Sequence, residues 1–172
     1  MIFDVLELSS MYFGNKNGGA WLFLERLIDT PDNELIIYVC NSALGGNTLN
    51  AKIPAQIRKL LSKHTPIVPD NDQLYKICFD SYIMYQTGNE SYASFDPNEI
   101  RTGDGLVLFE KSRFLDSLNK YSNAFDNENG AFPDKFRHYG VYTLNHVVDI
   151  ISHVKPTVEK VKSTDIAFSE GE

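Results

Sequence analysis

Glu34-Leu35-Ile36-Ile37-Tyr38-Val39-Cys40 decides how the rest of the chain is read. It joins β-branched, aromatic and apolar residues over the length of one strand, with no polar alternation. Thr30-Pro31-Asp32-Asn33 precedes it as a tight turn with proline in second place, and Asn41 to Gly46 follows as a break. The run therefore reads as a central strand buried on both faces, and a sheet-centred core is expected around it.

The sequence on the near side of the turn supplies a partner. In Ala20 to Ile28, Trp21, Leu24, Leu27 and Ile28 would share a helical face, but Phe23 falls off it, so the segment is read as a strand in hairpin with the central one. Further upstream, Ile2 to Tyr12 reads as a first strand and Gly14 to Gly19 as its loop, since glycine and asparagine accept positive φ. Downstream, Ile53, Ile57, Leu60 and Leu61 recur at helical spacing, which predicts a helix over Pro54 to Lys63. Thr65 to Asp72 is rich in breakers and reads as a connector. Leu74 to Gln86 reads as one long half-buried strand, Thr87 to Glu90 as a turn, and Ser91 to Phe95 as a short return strand.

Gly103-Asp104-Gly105 is a turn ahead of a buried strand ending at Phe109. Ser112 stands where a cap belongs, before Phe114, Leu115, Leu118 and Tyr121 at helical spacing. Asn123 to Pro133 reads as a surface loop and His138 to Tyr142 as a strand, and Thr143 precedes an amphipathic helix running to about Val154. The predicted fold is α+β, a mostly antiparallel sheet of about five to seven strands with two or three helices packed on it. Residues 1–154 form a single globular domain and residues 155–172 a frayed C-terminal tail, with no internal repeat.

A chain of 172 residues buries about 70% of its unfolded surface, enough for a core without staples. Sixteen Lys and Arg oppose 23 Asp and Glu, a net charge of -7, which argues against direct nucleic-acid binding because phosphate tracking needs a basic face. Cys40 and Cys78 each lie in an apolar run and are expected as reduced, buried thiols. Met1 to Leu8 lacks the basic start and cleavage site of a signal peptide, and no apolar run approaches a membrane span, so a cytoplasmic protein without membrane contact is expected.

No catalytic signature surfaces. His146, Asp149 and His153 would share a narrow stripe of the predicted helix, but Val147, Val148, Ile150, Ile151 and Val154 centre elsewhere, which makes the stripe a solvated face. Asp126 to Gly130 fails as a calcium loop: with Gly130 at the sixth position, Phe125 occupies the first, where a carboxylate is required. Lys135-Phe136-Arg137-His138 is a short cationic patch best explained as strand-edge charges around a buried Phe136. There is no Gly-x-Ser-x-Gly elbow, Walker loop or dinucleotide fingerprint. No catalytic residue, metal ligand or cofactor is assigned.

What remains is surface character. Between residues 70 and 104, acids outnumber bases and are interleaved with tyrosines, a composition suited to a basic protein partner. Asp70, Asp72, Tyr82, Tyr85, Glu90, Tyr92, Asp96, Glu99 and Asp104 are the expected contact residues. The expectation is thus a small acidic binding protein that neutralises a basic partner, such as an immunity protein occluding a nuclease toxin. One alternative is an enzyme assembled from dispersed residues around His138, His146, Asp149 and His153; another is an assembly subunit or a nucleic-acid mimic.

Overall fold

The computed structural model describes residues 21–45, 65–124 and 135–166. Its strands are β1 (Leu22–Asp29), β2 (Leu35–Leu44), β3 (Ile67–Phe79), β4 (Met84–Asn89), β5 (Ile100–Thr102), β6 (Leu106–Lys111), β7 (Arg137–Tyr142), β8 (His146–Ser152) and β9 (Thr157–Val161). Two single-turn helices, α1 (Arg113–Asp116) and α2 (Leu118–Tyr121), follow β6.

The strands make two sheets, ordered β1-β2-β3-β9 and β4-β8-β7-β6-β5, and every pairing is antiparallel. One apolar core joins them: Leu35, Ile37, Val39, Ile77 and Phe79 from the four-stranded sheet meet Leu106, Tyr139, Val141, Val148 and Ile150 from the five-stranded one. Each such side chain contributes on the order of 1.5–3 kcal/mol through burial. The mostly antiparallel expectation holds. The single sheet of five to seven strands does not: among the described residues nine strands divide between two facing layers, and the helices are two short turns.

The β1–β2 hairpin forms as predicted. Asn33 takes φ 61°, which asparagine tolerates, and Thr30 closes the turn through both backbone and side chain. On β2, Leu35, Ile37 and Val39 are fully buried while Ile36 and Tyr38 are half-buried, so one face of this strand is sealed and the other only partly covered.

The connector expected over Thr65 to Asp72 is the first half of β3. Its breakers are absorbed by a register shift: Cys40 pairs with Leu74 but Asn41 with Asp70, leaving Asn71 to Gln73 as a bulge. The long strand expected over Leu74 to Gln86 is two strands in different sheets, because Asp80 to Ile83 carry the chain across the sandwich. Gly88 and Asn89 extend β4, and Glu90 to Tyr92 form a 3-10 turn in place of a return strand.

The helix expected after Thr143, to about Val154, is instead strand β8. Four of its seven residues are valine or isoleucine, and Leu144–Asn145 makes a two-residue turn that folds it back on β7. The tail expected from Lys155 onward begins instead as β9, which pairs with β3 from Leu74 to Cys78. The strand expected over Ile2 to Tyr12 and the helix over Pro54 to Lys63 lie outside the described residues, as does the Asp126 to Gly130 loop. Among the described residues no helix is long and apolar enough to cross a membrane.

Candidate functional site

Reading β8 with a period of two explains what the helical wheel concealed. Val148 and Ile150 face the shared core, whereas Val147, Asp149 and Ile151 face outward. On β7, Tyr139 and Val141 point inward, and His138, Gly140 and Tyr142 lie on the outer side beside them. Outward-facing Phe109 of β6 and Gln86 of β4 complete a polar and aromatic surface on the five-stranded sheet.

Asp149 is the hub of that surface. Its Oδ1 accepts from His138 Nε2 at 3.0 Å and from the Tyr142 hydroxyl at 3.1 Å, and its Oδ2 accepts from Gln86 Nε2 at 3.0 Å. Burial would raise the pKa of this carboxyl, but the hydrogen bonds from His138, Gln86 and Tyr142 outweigh it and hold the group below the ordinary carboxylate range. The Tyr142 phenol is driven the other way, first by burial and then by the Asp149 charge. Gly140 makes this convergence possible: a Cβ there would lie 2.9 Å from Tyr142 Cζ, so only glycine lets the tyrosine ring cross the strand.

His138 is held on every side. Its ring stacks on Phe109 at 4.0 Å and 7°, Phe114 meets it edge-on at 5.2 Å, and Nδ1 lies 2.7 Å from Ser112 Oγ. Nε2–H donates to Asp149, and Nδ1 shares a hydrogen bond with the Ser112 hydroxyl. Ser112 Oγ also accepts from Leu115 N–H, the cap predicted from sequence. Serine, imidazole and carboxylate thus stand in line, but Ser112 is only 1% exposed.

Above this floor lies a cleft of about 600 Å³. Arg113 builds one wall by tying down the segment after the 3-10 turn: its Nε lies 3.4 Å from Asp96 and 3.9 Å from Glu99, and its backbone N–H donates to Glu99 at 3.0 Å. Tyr92, Phe95 and Tyr121 stand exposed around the opening. The Arg101 guanidinium sits 4.4 Å from the Phe95 ring centroid, which in turn meets Tyr142 edge-on at 5.5 Å. Volume and lining are those of a small-ligand or side-chain pocket.

No protein-family model, curated protein or solved structure matches this chain.

The expected contact residues are dispersed by the fold. Tyr92 and Glu99 line the cleft, Glu90 shares the 3-10 turn with Tyr92, and Asp96 braces the wall through Arg113. Tyr82 and Tyr85 instead close a side of the sandwich, where both hydroxyls donate to Asp29, at 2.7 and 3.4 Å. Asp70 and Asp72 stand on β3 of the other sheet, and Asp104 lies in the β5–β6 turn. Of the four dispersed residues, His138 and Asp149 meet; His146 is exposed at the start of β8 and His153 lies past its end. Lys135 and Arg137 are exposed around buried Phe136, as expected, while His138 is drawn beneath the cleft.

Gln86, Ser112, Tyr142 and Tyr121 carry parts of the site that sequence reading did not single out. A strand period over His146 to Ser152 was the signal available, since it puts Asp149 on the face opposite Val148 and Ile150. The thiols are unbridged: Cys40 pairs across with Leu74 and Cys78 with Ile36, several residues apart along the sheet. Burial, then the hydrogen bond to Glu25, pushes the Cys40 thiol up to about 12. Among the described residues no group of three metal-binding side chains occurs.

Proposed function

We propose that this chain is a small acidic cytoplasmic protein that captures and neutralises a basic protein partner, in the manner of an immunity protein occluding a toxin. We place the contact at the cleft of the five-stranded sheet. The observation that carries the reading is the ring of exposed Tyr92, Phe95 and Tyr121 around an opening whose wall and floor hold Glu99 and Asp149. Aromatic faces attract cations, tyrosines bury area at low entropic cost, and carboxylates supply the counter-charge. A net charge of -7 speeds encounter with a basic surface. Unbridged cysteines suit a reducing compartment.

Calorimetry with the basic protein encoded beside its gene tests this. The affinity is expected to fall steeply as ionic strength rises, and Tyr92→Ala combined with Glu99→Gln to weaken it by roughly tenfold or more. Absence of association at low salt refutes the reading.

The Ser112–His138–Asp149 alignment favours a second reading, an acyl-transfer enzyme with Ser112 as nucleophile. It ranks below the first because Ser112 does not line the large cleft; it borders a smaller hollow of about 280 Å³ beside Arg113 and Asp116. Labelling of Ser112 by a serine-directed fluorophosphonate would reverse that order.

A further inference from the structure

Antiparallel sheets end in strands whose outer backbone groups invite another strand, and proteins block such edges with charges, bulges, brevity or a covering segment. Of the four sheet edges among the described residues, three are blocked. The β7–β8 turn covers β1: Leu144 N–H donates to the Leu22 carbonyl, and the Asn145 side chain bonds both the N–H and the carbonyl of Leu24, at 2.8 and 3.0 Å. A bulge between Leu24 and Arg26 interrupts the same strand. β9 presents exposed Glu159 and Lys160. β5 is three residues long, carries Arg101 and slips register at its first residue.

Among the described residues, the fourth edge, β4, has none of these devices. Met84-Tyr85-Gln86-Thr87-Gly88-Asn89 contains no charge, no proline and no bulge, and pairs in unbroken register with β8 from Ile151 to His146. Its last four residues are exposed, and a Cβ built on Gly88 meets nothing within 4 Å. Gln86, Thr87, Gly88 and Asn89 also form a border of the cleft, so an added strand would run along that border, one strand out from β8 and its Asp149.

Resting on the partner reading above, we infer that the basic partner docks as an extended segment that adds a strand to β4, its alternate side chains reaching into the cleft. Main-chain hydrogen bonds along Gln86 to Asn89 hold the segment, and a lysine or arginine directed inward meets the exposed tyrosine rings over the cleft. The occupant is a basic segment and not a second copy of this chain, because two chains each carrying -7 repel.

The test uses the full chain and a synthetic nine-residue peptide alternating lysine with threonine. Controls are two analogues N-methylated at alternate amides, one in each register, and a glutamate–threonine counterpart. The lysine peptide is expected to protect the outward amides of Gln86 to Asn89 from hydrogen exchange. Methylation in the pairing register should weaken binding by roughly tenfold or more, and the glutamate peptide should not bind. Equal binding of both methylated analogues, or protection at another edge, overturns strand addition while leaving the partner reading intact. So does binding of the basic protein but not the peptide. A dimer of the chain alone, with β4 amides protected, assigns the edge to a second copy and overturns the inference. Failure of peptide and basic protein alike sinks the partner reading itself.

Discussion

Asp149 shows how one residue's surroundings set its behaviour. Its pKa lies below the unfolded value, so its contribution to stability is complete above the ordinary carboxylate range and drains away as pH falls through the depressed folded value. Urea denaturation across acid pH is expected to show Asp149→Asn losing stability at neutral pH and responding less to acidification below about pH 4. Gly140 is the second residue with a defined test. In Gly140→Ala the new methyl group presses on the Tyr142 ring, and a loss of about 1–3 kcal/mol is expected in chemical unfolding. Neither effect was legible in the sequence. The glycine matters because of a ring two residues along its own strand, and the aspartate because of partners on β7 and β4.

At the scale of elements, β8 and the turn before it carry the main lesson. Val147, Val148, Ile150 and Ile151 fit a helical wheel over a short window, yet β-branched side chains favour a pleated surface, and β7 offers an adjacent strand through a two-residue turn. The predicted Ser112 cap held because capping is local chemistry, whereas the helix it starts is interrupted at Ser117 and runs as two single turns. Asn145 binds the turn to β1, standing in for a neighbouring backbone. Asn145→Ala leaves the Leu24 amide and carbonyl without those bonds, and is expected to cost about 1–3 kcal/mol, read by thermal or urea unfolding. Amide exchange at Leu24 should accelerate with it.

The whole molecule is held by side chains that bridge the sheets. Phe79 and Tyr139, one from each layer, pack edge-to-face at 5.3 Å in the centre of the shared core. Tyr139→Ala is expected to destabilise by about 3–5 kcal/mol. Because the core belongs to both layers, far-ultraviolet circular dichroism and hydrogen exchange should report one transition for both sheets; separate transitions would contradict a shared core.

The sequence alone determined what depends on neighbours along the chain: the β1–β2 turn, the buried β2 run, the Gly103–Gly105 turn, the Ser112 cap and the acidic balance. Tertiary structure decided the rest. A break at Asp80 to Ile83 sends one apolar run into two sheets, a register shift turns a breaker-rich segment into strand, and pairing with β7 makes β8 a strand. The site belongs to this second group, since His138 and Asp149 meet only when β7 and β8 are paired, and Ser112 reaches them from the end of β6, which pairs with β7. Local propensity acts over a few residues, whereas the contacts that bring these side chains together form only once the sheets have closed.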